Sequence, residues 1–162
     1  MIFICQESPI SEPIKKTLCR ANINIRKVGS TTIYFSDDYF VKDLDHEIQL
    51  YIGNATFKKI PVDLALIEHS GAHCIFPLSI GPFFFLKATP YEIEVYNSLC
   101  RTVDLFYRKT VHGFELSTEL SILLRPALHK QVHINASYCI NFLLANSYHG
   151  GETAFHDIYQ VI

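Results

Sequence analysis

The run INASYCINFLLANSYHGGETAFHDIYQVI, Ile134–Ile162, decides how the chain is read, because its apolar spacing fits two short helices about a glycine turn. Asn135 is a strong helix N-cap, since its side-chain oxygen can accept one of the backbone N–H groups that a helix start leaves without a partner. Behind it Cys139, Ile140, Leu143 and Leu144 fall on one helical face. Asn146, Ser147, Gly150 and Gly151 then break the pattern. Thr153 is placed to cap a second helix, in which Phe155, Ile158 and Ile162 recur at three and four residues and His156, Asp157, Tyr159 and Gln160 point outward. The spacing predicts a helix-turn-helix with Phe155 and Ile158 buried.

Several short motifs in this region carry a family likeness. Leu116-Ser117 is followed by Glu119 and, three and four residues on, by Ile122 and Leu123; Ile134-Asn135-Ala136 opens the next helix; Asp157 to Ile162 closes the run. Together they resemble the winged-helix domain of OmpR/PhoB- and ToxR/CadC-type bacterial transcription regulators. The resemblance covers about the last third of the chain, residues 110–162. It implies a DNA-binding transcriptional regulator with duplex DNA as partner. Asp157, Tyr159 and Gln160 stand at the family's DNA-facing positions, with Tyr159 and Gln160 reaching base edges, where Gln suits adenine. The family's Leu-Arg-x-x-Leu segment and β-hairpin wing have no counterpart before Ile162, so the expected regulator is atypical or shortened.

Upstream, Ile2–Cys5 reads as a buried strand and Ser11–Ala21 as a helix with Ser11 as cap. Ile23–Val28 and Thr31–Phe35 read as strands. Asp37–Gly53 fits helix or strand. Pro61–His69 reads as a further buried strand, followed by the apolar runs His73–Ile80 and Phe83–Leu86. Pro90–Lys109 is predicted helical from Tyr91, Val95, Leu99, Val103 and Phe106. This order predicts a small α/β layer domain over residues 1–109, ahead of a mainly α, helix-turn-helix-like segment. The first part also resembles a degenerate receiver domain. Gln6-Glu7 stands where the acidic metal pair would be, Glu68 where the phosphoacceptor would be, and Lys87 where the last strand carries its Lys. Gln6 removes an anionic ligand that Mg²⁺ would need, and Glu68 has a longer arm than Asp. The resemblance therefore implies no phosphorylation by the usual receiver chemistry and no bound cofactor.

Composition bounds these readings. An apolar fraction of 49% is ordinary for a folded domain. A net charge of −2 offers no general attraction to nucleic acid or membrane. From Thr110 onward Arg125 and Lys130 face Glu115, Glu119, Glu152 and Asp157, so the proposed DNA reader is the acidic part, although phosphate neutralisation supplies most non-specific DNA affinity. Cys5, Cys19, Cys74, Cys100 and Cys139 are widely spaced and read as buried thiols of a reducing cytoplasm. Met1–Cys5 is too short for a signal peptide, and no apolar run is long enough to span a bilayer.

Other chemistry is thinly represented. Cys139, His149, His156 and Asp157 hold the ingredients of a thiol hydrolase, with Cys139 more simply a small core residue. His69 with His73 and His129 with His133 have a helical zinc-pair spacing but no evident third ligand. Asp37, Asp38, Asp43 and Asp45 form an acidic group without calcium-loop spacing, and Glu92 and Glu94 decorate a surface. The expectation is a regulator with no catalytic or metal-binding residue. The alternatives are a non-enzymatic protein–protein interaction module, pairing with a partner protein or a second copy, and a small Cys- or Zn-dependent enzyme.

Overall fold

A computed structural model describes residues 1–6, 10–18, 22–63, 75–76, 79–98, 103–111, 113–124, 133–145 and 153–160. The chain divides into two compact units. The first joins Met1–Ser36 to Asp104–Ile162, and the second is the intervening Asp37–Val103.

The first unit is built on a six-stranded sheet. Its elements are β1 (Ile2–Gln6), α1 (Glu12–Leu18), β2 (Ile23–Val28), β3 (Thr31–Ser36), β10 (Phe106–Thr110), β11 (Gly113–Ser117), α2 (Leu120–Leu124), α3 (Ala136–Ala145) and β12 (Ile158–Gln160). The strand order is β12-β10-β11-β1-β3-β2, and each neighbouring pair is antiparallel. The apolar run at the amino end makes β1 the buried central strand, with Ile2, Phe3 and Ile4 sealed from solvent. β3 alternates buried Thr31, Ile33 and Phe35 with partly exposed neighbours, as a strand with unequal faces should. Gly29, at φ 58°, sits in the two-residue loop that joins β2 to β3 with Val28 opposite Thr31. A positive φ at that position matches the twist of the flanking strands and costs glycine little.

Because β1 and β2 are both antiparallel to β3, they run parallel to each other, and α1 is the crossover between them. Ile14 and Leu18 of α1, and Ile122 and Leu123 of α2, pack with Phe3, Cys5 and Ile158 in one core. α1 was expected from its stripe, but its cap differs. The Ser11 carbonyl accepts the Lys15 N–H at 3.0 Å, while the buried Ser11 hydroxyl makes no hydrogen bond.

The second unit contains β4 (Phe40–Leu44), β5 (Glu47–Gly53), β8 (Phe83–Ala88) and β9 (Ile93–Asn97) in an antiparallel sheet of order β4-β5-β8-β9. A small hairpin of β6 (Thr56–Phe57) and β7 (Ile60–Pro61) accompanies it. One core gathers Tyr51, Phe57, Val62, Ile75, Phe83 and Phe85 around Phe76, whose ring centroid lies 4.2 Å from that of Phe85 and 5.1 Å from that of Phe83. Gly53, at φ 143°, passes so close to Pro82 that an added Cβ would lie 2.4 Å from its carbonyl oxygen, so a side chain is excluded there.

These findings correct the expected fold. The protein is mostly antiparallel β-sheet, neither an α/β receiver nor a helix-turn-helix segment. The predicted helix over Pro90–Lys109 is replaced by β9 and β10. Its first stripe residue, Tyr91, is 91% exposed and belongs to no core. The helix after Asn135 does form, and Asn135 caps it, accepting the Tyr138 N–H at 3.1 Å. The second helix does not. His133–Asn135 is tied to Ala154–His156 by the Asn135 N–H to the Ala154 carbonyl and the His156 N–H to the His133 carbonyl, both 3.0 Å. The chain turns at Asp157, at φ 66°, and Ile158–Gln160 joins the sheet beside β10. Ile158 is buried, but as a strand residue, and Phe155 is only half-buried. A three-residue apolar interval serves a turn followed by a strand as well as it serves a helix.

The receiver likeness fails on the same ground. A receiver gathers its acidic groups at the carboxyl ends of parallel strands, whereas both neighbours of β1 run against it. Gln6 closes β1 in the first unit and Lys87 lies on β8 in the second. Glu7 and Glu68 fall outside the described residues.

Candidate functional site

The first unit's sheet ends on one side in β2, which among the described residues pairs with β3 alone. Asn24, Ile25, Arg26 and Lys27 are exposed one after another. Strand side chains alternate between faces, so four exposed residues in a row mean that neither face of this strand is covered at its centre. Ile25 keeps 66% of its surface in water although its cross-strand partner Tyr34 packs against the core. Arg26 and Lys27 place a cation on each face at adjacent positions. The strand is six residues long and contains neither Pro nor Gly. Its composition explains its place. Asn24, Arg26 and Lys27 leave no continuous apolar face to bury, so the strand holds the sheet through its backbone and through Ile23 and Val28 at its ends.

Inward from this edge the polar groups are committed to structure. Arg108, Glu115 and Cys5 stand in register across β10, β11 and β1. The Arg108 guanidinium pairs with the buried Glu115 carboxylate and donates from Nη1 to the Leu123 carbonyl at 2.6 Å. One side chain thus ties the last turn of α2 to the sheet. Burial pushes the Cys5 thiol up to about 11, and the Glu115 charge adds to it, against a weak hydrogen bond to the Thr32 carbonyl. A thiol held protonated in this way is a poor nucleophile.

The sequence-derived candidates lie elsewhere. Asp157 and Tyr159 line a small open pocket of about 240 Å³ with Asn135, Thr153 and His156. The Tyr159 ring stacks on Tyr107 at 5.2 Å, and the Gln160 amide donates to Asp104 at 2.8 Å. Asp157, Tyr159 and Gln160 therefore sit on a turn and an edge strand instead of a recognition helix. Thr153, expected as a cap, accepts the Phe155 N–H at 3.2 Å and donates to the Ile158 carbonyl at 2.8 Å, which fixes the turn. In the second unit the Lys87 ammonium lies 3.6 Å from both the Glu47 and Glu94 carboxylates, and Gln49 donates to Glu47. Glu94 is thus part of a cross-strand network.

Cys139 is half-buried on α3, and His156 is exposed. His69, His73, His129 and His149 fall outside the described residues. Among the described residues no group of three or more His, Cys, Asp or Glu side chains could hold a metal ion, and no helix is long and apolar enough to cross a membrane. Sequence reasoning read β2 as a strand but missed it as a site. The available signal was its composition, two cations and an Asn in six residues. No family model and no curated protein matches the chain.

Proposed function

We propose that the chain is a non-enzymatic protein–protein interaction module that takes up an extended polypeptide segment by strand addition at β2. The observation that carries this reading is the edge itself, a six-residue strand that among the described residues pairs with β3 alone and exposes Asn24 to Lys27 on both faces. A sheet edge presents backbone N–H and C=O groups in register for one more strand, and proteins use such edges to bind extended peptides, the backbone giving affinity and the alternating side chains giving specificity. The buried β1 behind it, with α1 and α2 packed on the same core, supplies a rigid backing, so little ordering of the sheet would be needed on binding. The regulator reading depended on a recognition helix, and with Ile158–Gln160 in a strand that element is gone.

Selection of random nine-residue peptides against the full chain tests the proposal. The expected result is enrichment of β-branched, extended sequences that compete with one another and lose binding to the Ile25→Asp variant. Enriched peptides indifferent to Ile25→Asp, or no enrichment, would refute it.

A further inference from the structure

We infer that the second unit carries a docking surface for an anionic lipid bilayer, made by the β6–β7 hairpin and the adjoining residues 80–82. This surface is separate from β2 and stands or falls without strand addition there.

β6 and β7 are joined by two residues, Lys58 at φ 49° and Lys59 at φ 70°. A two-residue hairpin with positive φ at both loop positions is best served by Asn-Gly or Gly-Gly, because a bulky side chain is strained in that conformation. Lysine at both positions gives up stability that Asn-Gly would keep. Strain of this kind, held at an exposed tip, points to residues kept for what they touch. Both lysines are exposed. Among the described residues no carboxylate pairs with either. The Lys58 ammonium lies 5.2 Å from the centroid of the Phe57 ring, which leaves its charge in place. The nearest carboxylate in sequence is Asp63, which is half-buried and acts on the Tyr51 hydroxyl in the core.

The surface beside this tip is apolar. The Thr56 N–H donates to the Ile80 carbonyl at 2.9 Å and the Ile80 N–H to the Thr56 carbonyl at 3.0 Å, while Pro61 opposes Thr56 on its other side. Directly opposed residues share a face, so Pro61, Thr56 and Ile80 form one row, and Phe57 points the other way into the core. All of that row is exposed, Ile80 at 78%, with Ile60 and Pro82 exposed next to it. The row is fixed in place. The Asn54 N–H donates to the Pro82 carbonyl at 3.0 Å, and a Cβ added at Gly81, at φ 118°, would lie 3.1 Å from the Ala55 Cα, so residues 80–82 lie tight against the start of β6.

Exposed isoleucine and proline side chains rimmed by lysine suit a bilayer interface. The apolar groups enter the boundary between headgroups and acyl chains, and the ammonium groups meet lipid phosphates. Charge decides among apolar occupants. A second copy meeting this surface about a two-fold axis would set the lysines near their own counterparts, whereas anionic lipid compensates them. Two cations and a short apolar row give a weak, reversible contact that salt loosens.

Flotation of the full chain with vesicles tests this, comparing phosphatidylcholine alone with an equal mixture of phosphatidylcholine and phosphatidylserine. The chain should float with the mixture only, and less as salt is raised. The double variant Lys58→Asn with Lys59→Gly removes both charges and suits the turn. It should bind the mixture about thirtyfold more weakly while melting no lower than wild type, so lost binding cannot be lost folding. Ile80→Ser should weaken binding to the mixture as well. Equal flotation with both vesicles, flotation with neither, or full binding by the double variant would overturn the proposal. Retention of the chain on DNA or on itself as a dimer, abolished in the double variant and with no vesicle binding, would overturn it in favour of that occupant.

Discussion

β1 and β2 run parallel in one sheet with β3 between them, are of nearly equal length, and have opposite fates. β1, IFICQ, is sealed on both faces, while β2, INIRKV, is open on both faces at its centre. Backbone pairing is available to each, so what separates them is side-chain content. An apolar run goes to the middle of a sheet because burial on both faces is favourable at about 25 cal/mol per Å² of apolar surface. A strand with three strongly polar residues in six stays at the edge, where their hydration is kept. The central strand holds the fold, and the edge strand keeps its centre exposed.

Truncation makes the contrast largest. Phe3→Ala should cost about 4 kcal/mol, because it removes a ring sealed among Ile14, Leu18 and Ile122. Ile25→Ala should change stability by less than about 0.5 kcal/mol, as exposed positions do. Chemical denaturation of the two variants measures both, and similar losses would erase the distinction.

Arg108→Ala probes the layer between these extremes. It strands the buried Glu115 carboxylate and removes the donor to Leu123, so a loss of about 3 kcal/mol is expected. The companion variant Arg108→Ala with Glu115→Gln should recover part of it, since no charge is left buried alone. A double-mutant cycle reads the coupling.

A further effect, confined to high pH, concerns Cys5. The folded-state pKa of Cys5 lies near 11, above its ordinary value of 9.0, chiefly through burial. The folded protein therefore holds a proton that the unfolded chain has released between those values. The resulting stability is complete below pH 9 and is lost as pH rises towards 11, by up to about 3 kcal/mol. Wild type should lose more stability than Cys5→Ala over that window, and equal slopes would remove Cys5 from the account.

How much of this was legible in the sequence follows from the same contrast. β1, β2, β3 and α1 were each readable, because the apolar run of Ile2–Cys5, the β-branched content of Thr31–Phe35 and the Ile14/Leu18 stripe are local signals. Asn135 was read correctly as a cap because capping is also local. The last strand was not legible. Thr153 through Ile158 carries a cap residue and a three-residue apolar interval, which suit a helix, and the deciding partner, β10, lies some fifty residues earlier. Tyr91, Val95 and Leu99 misled in the same way, since four-residue spacing says nothing of the β8 strand that Val95 pairs with. The candidate site was hidden for a related reason. Whether a strand lies at an edge depends on the order of all the others, and that order is set by long-range pairing.

The most direct test of the central claim is amide hydrogen exchange across Ile23–Val28, with and without a saturating amount of a peptide selected for binding to the full chain. In the free chain, alternate amides of β2 should exchange fast, because among the described residues one side of the strand pairs with β3 and the other has no strand. Bound peptide should protect those fast amides and leave β12 unchanged. If the β2 amides are already uniformly protected in the free chain, or if bound peptide leaves them fast, β2 is not a docking edge.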